Sequence, residues 1–521
     1  MSASIENSTD TPLPTAGFKG SNLAPLVTDR LVFLSPVPVS PVFFSASSSR
    51  RLGSLTRSLS VQPRSDLWVR LLSPVFIACA IMCLSPNILP AFEQLGLLEK
   101  LMSFSKPGRV ATMYTDQLKT IGNMAPASAD IIGYNRLLFA RPELQEMLFK
   151  QIPSEKILMS KKILSFQQNH EGVMLRLNDN TTVHGDILVG ADGAHSAVRQ
   201  HLFKTLDKEG LLPKADTKEM NRGYISLVGT TDALDPVKYP GVLKEDSESY
   251  YVIGDKNTPY TWVTFTVPGN RICWNVVIQL GIEELADDQF RSSDWVPQQN
   301  QKLMDLIRHF KTPYGILGDL FDATPLDRVC KVYFEDILFE TWNHGRTVLI
   351  GDAAHKVRIE TGTKDIPDYE HLHLDLLLPS SGAGAVNAFQ DAVLLANHLY
   401  DIHPTSFESI KKALSDYREE RFDAVKDQYP LSHVSAKLIF GHTLSERIFR
   451  KVIFNWMPKS IQMKQIESST VYRPQANFLP QVPKRGILDT VSQKPSKRIQ
   501  KEKEGAKNEN ETAATTVAAA I

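Results

Sequence analysis

Cysteine is scarce in this chain of 521 residues, which holds four. Cys79, Cys83, Cys273 and Cys330 form no CxxC pair and have few histidines at ligand spacing, which excludes a zinc site and predicts free thiols in a reducing compartment. Cys79 and Cys83 stand four apart, as two packing residues on one helix face would. An excess of charge of either sign is also missing, because 58 Lys and Arg balance 58 Asp and Glu. Nothing therefore steers the whole molecule toward nucleic acid or an acidic surface, and any site for a charged ligand must be local. The longest apolar run, Leu71 to Leu84, contains Ser73 and Pro74 and falls short of the roughly 20 residues that cross a bilayer, so it reads as a core element. Met1 to Asp10 is polar and acidic, unlike a secretory signal. From Arg30 to Ser65 acids are absent and Ser, Pro and Arg dominate, which predicts a disordered stretch. No internal repeat is evident, and Met1 to Cys79 contains no strand followed by GxGxxG and a helix.

What is present is an apolar run ending in Gly-Asp beside small residues, and it occurs twice: Asp186-Ile-Leu-Val-Gly-Ala-Asp-Gly193 and Arg346-Thr-Val-Leu-Ile-Gly-Asp-Ala-Ala-His355. Both read as buried strands with an acid at the carboxyl end, the edge of an α/β sheet where nucleotide cofactors sit. A third element is Pro379-Ser-Ser-Gly-Ala-Gly-Ala385, a loop feeding a helix predicted from about Ala385, with Val386, Phe389, Val393 and Ala396 as its apolar stripe. Gly382 and Gly384 allow close approach of backbone to a ligand, and a helix N-terminus offers N–H groups and partial positive charge to an anion.

Between these motifs the chain reads as follows. Pro86 to Lys100 has helical spacing with Gly96 near a turn, and Arg141-Pro-Glu-Leu144 opens a helix with Pro and an acid in its first turn. Ile157 to Phe166 and Gly172 to Leu177 alternate as strands, turning through Asn178-Asp-Asn180 into the first Gly-Asp strand. From Gly223 to Leu280 the period is two, giving strands at Tyr224 to Thr230, Tyr250 to Gly254, Tyr260 to Val267 and Arg271 to Leu280. Tyr250, Tyr251 and Trp262 either line a pocket on that sheet or form its core. Phe407 to Gln428 reads as a charged, exposed helix, and the Lys-, Glu- and Asn-rich tail from about Gln493 as disordered. Ala436 to Trp456 interleaves Leu438, Ile439, Phe440, Ile448, Phe449, Val452 and Ile453 with Lys and Arg, a pattern that packs on its own domain or lies in a membrane interface.

In this order the motifs Leu188-Val-Gly-Ala-Asp-Gly-Ala-His-Ser-Ala-Val-Arg199, Val348-Leu-Ile-Gly-Asp-Ala-Ala-His355 and Pro379 to Ala385 resemble the group A flavin-dependent aromatic monooxygenases of the para-hydroxybenzoate hydroxylase fold. The likeness is nearest to fungal FAD-dependent monooxygenases of secondary metabolism and runs from about Ala80 to the 490s. It implies an α/β fold: an FAD-binding Rossmann-like domain incomplete at its N-terminus, an inserted antiparallel β-sheet substrate domain and a C-terminal helical region. The implied divisions are an atypical or disordered segment 1–70, FAD-binding parts at 71–205 and 341–402, the substrate sheet at 206–340, helices at 403–460 and an extended, disordered tail at 461–521. It also implies that Gly351 and Asp352 bind the ribityl or phosphate region of FAD, and that Asp192 organises the pyrophosphate side and faces the nicotinamide donor. Arg141 matches an arginine that contacts FAD, and Pro379, Gly382, Gly384 and Ala385 lie against the isoalloxazine ring. His195 and His355 are read as structural or solvent-facing, and no side chain is named as a catalytic acid or base.

The implied reaction is hydroxylation or epoxidation of a small apolar or aromatic molecule, with NAD(P)H as electron donor, FAD as cofactor and oxygen transferred from a flavin C4a-hydroperoxide. The implied setting is cytoplasmic or membrane-associated, with no nucleic-acid partner and no metal. Two departures from the family keep a second class of function open. The first Gly-rich motif is missing, and Arg358 to Leu377 intervenes where the family passes from His to Pro within a few residues. A remnant unable to hold FAD, acting as a binding or scaffold protein, is the main alternative; a flavin-dependent reductase or dehydrogenase is a weaker one.

Overall fold

The computed structural model describes residues 31–34, 81–124, 129–218, 221–254, 260–279, 297–356, 383–426, 444–456 and 458–505. The chain enters on β1 (Leu31–Leu34), a strand inside the stretch expected to be disordered. Four consecutive apolar residues suffice because the backbone is completed by a neighbour later in the chain, which sequence composition does not show. Next come β2 (Ile81–Leu84), the short helices α1 (Leu89–Gln94) and α2 (Leu98–Ser103), then β3 (Lys106–Pro107), β4 (Ala111–Thr115), β5 (Thr120–Met124) and β6 (Leu137–Ala140). Gly96, at φ +70°, separates the two helices. Cys83 is on β2, paired with Leu138, and not on the helix expected from its spacing to Cys79, which lies outside the described residues. A run of β-compatible apolar residues next to a partner strand overrides an i, i+4 spacing.

Helix α3 (Arg141–Phe149) follows β6 directly, with Pro142 and Glu143 in its first turn. Strands β7 (Ile163–Gln168), β8 (Val173–Leu177) and β9 (Thr182–Gly185) form an antiparallel meander, and β10 (Ile187–Gly190) leads to α4 (Ala197–Lys208). The Asn178-Asp179-Asn180 turn, with Asn180 at φ +63°, thus connects β8 to β9, and β9 precedes the first Gly-Asp strand. Next are β11 (Asn221–Thr230), β12 (Ser249–Ile253), β13 (Tyr260–Val267) and β14 (Arg271–Gln279). Helix α5 (Pro297–Ile307), the minimal hairpin β15 (Lys311–Thr312) and β16 (Gly315–Ile316), and α6 (Leu317–Asp322) come before β17 (Val329–Leu338). Then come β18 (Asn343–His344), β19 (Thr347–Leu349) and β20 (His355–Lys356), and the helices α7 (Ala383–Tyr400), α8 (Phe407–Lys426), α9 (Leu444–Trp456) and α10 (Lys459–Thr470).

Two sheets matter for function. The first has the order β1-β10-β19-β18, and β10 runs parallel to both β1 and β19. Its apolar strands Ile187 to Val189 and Val348 to Leu349 are buried among Val198, Leu202, Leu395 and Leu414, so it carries helices on its faces as parallel sheets do. The second has eight strands in the order β20-β17-β11-β14-β13-β12-β4-β5, with β12 and β4 its one parallel pair among these neighbours. On β14, Ile272, Trp274, Val276 and Ile278 join one core while Cys273 and Val277 join another. Both faces of this sheet are covered, which is why β13 is buried along nearly its whole length. Trp262 and Tyr251 are core residues, and Tyr250 is half-buried against Tyr114 and Tyr314. Trp262 donates to the Lys311 carbonyl at 2.9 Å, and burying an indole of this kind is worth about 2–3 kcal/mol.

Three further expectations are corrected. Cys330 is disulfide-bonded, whereas Cys83 and Cys273 are free and buried. Helix α8 is exposed on one side only: Ile410, Leu414, Tyr417, Arg421 and Val425 are buried, a stripe at helical spacing that its charge content masked. The tail is ordered through residue 505, where residues 497–505 are helical. Side chains hold it by its backbone: Asn87 donates to Ser469 O at 2.7 Å, and Gln94 donates to Ala476 O and accepts from Ala476 N. Ser496 caps the last helix, accepting from Ile499 N at 3.2 Å. Such polar anchoring leaves little trace in hydrophobic pattern.

Candidate functional site

At the end of β10 the chain turns through Ala191-Asp192-Gly193, with Gly193 at φ +82°. One Asp192 oxygen accepts from Ser196 Oγ, and the other accepts from Ala197 N at 2.7 Å and Val198 N at 3.2 Å. Ser196 Oγ in turn accepts from Arg199 N at 3.0 Å. The first amides of α4 have no partner inside the helix, and these two side chains supply them. Burial pushes the Asp192 carboxyl above its ordinary range, and the donated bonds oppose that shift. His195, in the same turn, is exposed.

The second turn is built differently. Gly351 has φ +58°, and a Cβ there would stand 3.0 Å from Ala388 Cβ, so glycine lets α7 close on the turn. Arg199 joins the two turns: Nη1 donates to Ala353 O at 2.9 Å, Nη2 donates to Ala194 O, and the guanidinium lies 4.4 Å over the Phe339 ring. The main chains meet as well, with Ile350 N donating to Gly190 O at 3.0 Å. The two Gly-Asp strands therefore end in one clamped structure.

Arg141, the first residue of α3, is close enough to Asp352 for the carboxylate to act on it; burial lowers its guanidinium pKa and Asp352 opposes that. Its Nε is buried without a hydrogen-bond partner. Gly384 lies in the first turn of α7, which begins two residues before the expected start, and a Cβ there would be 3.7 Å from Asp352 Oδ1. Ala385 is half-buried beside the cluster of Val386, Phe389 and Val393. Arg141, Asp352 and the start of α7 thus converge. Pro379, Gly382 and the intervening segment 358–377 lie outside the described residues.

Sequence reading missed what holds the second turn. Asp391 is fully buried on α7. Its Oδ2 accepts from Gly351 N at 2.8 Å and pairs with His355 Nε2 at 2.7 Å, and a carboxylate that only accepts makes that nitrogen the donor. Its Oδ1 accepts from Arg421 Nε at 2.7 Å. Arg421, also fully buried, donates through Nη2 to Asn387 Oδ1 at 2.6 Å and Gln390 Oε1 at 3.0 Å. Burial works to raise the Asp391 carboxyl, but His355 and Arg421 outweigh it and hold it below the ordinary range. The available signal was an arginine on the apolar stripe of α8, four residues after Tyr417.

Comparison with known proteins agrees with this architecture. A sequence profile described as the FAD binding domain matches residues 83–219. The FAD-dependent monooxygenase olcE of Penicillium canescens is 26% identical over 71% of this chain and 74% of its own length. The FAD-dependent monooxygenase nvfK of Aspergillus novofumigatus is 25% identical over 71% of this chain and 73% of its own. In fold, the chain is similar to HpxO of Klebsiella pneumoniae, solved with FAD and uric acid, at a TM-score of 0.61 and 17% identity, covering 85% of this chain and 97% of that one. With the parallel strands, the paired Gly-Asp turns and the helix start that meets them, these likenesses show an FAD-binding fold and a similarity to fungal FAD-dependent monooxygenases.

Proposed function

We propose that the protein binds FAD and uses NAD(P)H and oxygen to hydroxylate or epoxidise a small apolar or aromatic molecule. The observation that carries this reading is the buried, unpartnered Arg141 Nε beside Asp352 and the N-terminal turn of α7. A buried donor without an acceptor is costly and suits a ligand that brings one. Asp352 would accept from ligand hydroxyls, because a bare carboxylate repels phosphate. The first amides of α7 present partial positive charge, which suits the anionic pyrimidine side of a reduced flavin ring. Asp192 would set the first turn by capping α4, Arg199 would keep both turns in register, and Gly351 would hold Asp352 in place. Pro379 and Gly382 would complete the loop before α7. When bound, FAD supplies hydride acceptance and oxygen activation, and the protein's part is orientation and exclusion of water.

A second reading has its own support. Residues 35–40, directly after β1, are Ser-Pro-Val-Pro-Val-Ser, with no glycine and two prolines that lack an N–H. That composition is unlike a Gly-rich phosphate-binding loop, which favours a remnant that binds without catalysis. The purified chain decides between the two. The monooxygenase reading expects flavin bands that survive desalting after FAD is added, and bleaching by NAD(P)H that an organic substrate accelerates. Arg141→Met should weaken FAD binding about 10- to 100-fold, the worth of one charge-assisted hydrogen bond. A colourless wild-type protein that takes up no FAD overturns it in favour of the remnant.

A further inference from the structure

Helix α9 lies along β5, the edge strand of the large sheet. Phe449 and Ile453 pack into the core that holds Met113 and Met124, and Asn455 Nδ2 donates to the Ile121 carbonyl at 2.7 Å. The helix is therefore firmly seated, and its outward face is a settled feature of the fold. That face is apolar: Trp456 is 78% exposed, Ile448 56% and Val452 41%, and the three follow one another at four-residue intervals. Trp456 is the only aromatic among the large apolar side chains that stand exposed in the described residues. Ile461, early in α10, continues the exposed series. Arg447 and Lys451 are exposed along one flank of the stripe, Arg450 is buried, and the helix carries a single acid, Glu446.

We infer that the outer face of α9 docks the protein on an anionic lipid surface. An apolar ridge ending in tryptophan, bordered by cations, matches the layering of such a surface, where the ring sits at headgroup depth and the cations meet the phosphates. The chain's charges cancel overall, so this local excess of cations is what selects an anionic surface over a neutral one. At 13 residues, with one apolar face outward and Arg447 and Lys451 beside it, α9 suits a contact made in the plane of the interface.

Full-length protein is sedimented with vesicles of phosphatidylcholine alone or with 30% phosphatidylserine, and its self-association is followed by analytical ultracentrifugation. Binding is expected to the mixed vesicles and to fall with added salt. Ile448→Ser with Trp456→Ser should reduce partitioning at least about tenfold, and Arg447→Gln with Lys451→Gln roughly 25-fold, about fivefold for each cation removed. All four positions are exposed, so the thermal midpoint should not move, and it serves as the check that the variants fold. Three results overturn the inference: no binding to either vesicle, binding that ignores both variants, or a wild-type dimer that Trp456→Ser dissociates, which would assign the face to a second copy.

Discussion

Replacing Arg421 by methionine tests whether the second Gly-Asp turn is held from behind. Arg421 and Asp391 are both fully buried, joined at 2.7 Å, and the arginine also bonds Asn387 and Gln390. Met fills most of the volume but leaves the Asp391 charge with only His355 and the Gly351 amide. Breaking a buried pair from one side costs about 3–5 kcal/mol, against a domain stability of about 5–15 kcal/mol. Asp391→Asn should cost a similar amount, because it strands the Arg421 charge. The double variant removes both charges, so its loss should fall short of the sum by about 1–3 kcal/mol. Urea unfolding of the two single variants and the double variant at pH 7 measures these differences. Single losses below about 1 kcal/mol, or additivity within about 0.5 kcal/mol, would refute the argument. The pH dependence gives a second check. Because the folded-state pKa of Asp391 lies below its unfolded value, its contribution is fully present above about pH 4 and is lost as pH falls through the lower, folded value. The gap between wild type and Asp391→Asn should hold steady from pH 8 to about pH 5 and close only in stronger acid.

Arg199→Met should uncouple the two turns: it leaves the carbonyls of Ala194 and Ala353 without their donor, for a loss of about 2–4 kcal/mol in urea unfolding, and Arg199→Lys should recover only part of it. A loss under about 0.5 kcal/mol would show that backbone contacts alone join the turns. Burial pushes the Cys273 thiol up to about 12, and Cys83 is buried as well, so neither should react with maleimide in the native protein at pH 8, while both should react in denaturant. Native labelling of Cys273, read by mass spectrometry, would contradict that burial.

The large sheet was legible because its strands announce themselves locally. Tyr260–Val267 has the bounds that its β-branched and aromatic run predicts, and Pro268-Gly-Asn270 turns it onto β14, with Gly269 and Asn270 both at positive φ. What escaped was information held between distant positions. Leu31–Leu34 is too short to stand out from a Ser- and Pro-rich background, and its identity as a strand rests on Ile187 to Gly190 across the sheet. The charges of α8 suggested a solvated helix, and only Asp391, 30 residues away in sequence, explains why Arg421 is inside. The Cys330 disulfide likewise depends on spatial proximity that spacing rules do not address.

The strength of FAD binding measures how much of a cofactor site these turns can make. A hydrogen bond from Arg141 is worth about 3 kcal/mol at most, and bonds accepted by Asp352 about as much again. The start of α7 adds about 1 kcal/mol through its dipole. Association costs at least about 4 kcal/mol, so on the proposed reading Arg141, Asp352, Gly384 and Ala385 would leave a net near 3 kcal/mol, weaker than millimolar. Micromolar binding needs about 8 kcal/mol, and the remaining 5 or so must come from ring stacking and from contacts to the adenosine half. Equilibrium titration of the wild type against Arg141→Met with Asp352→Asn separates the two shares. If wild-type binding is micromolar and the double variant loses about 10,000-fold, the roughly 6 kcal/mol of those bonds, another part of the chain supplies the rest of the grip without a Gly-rich loop. If binding is already millimolar in the wild type, the clamped Gly-Asp turns are the whole of the site.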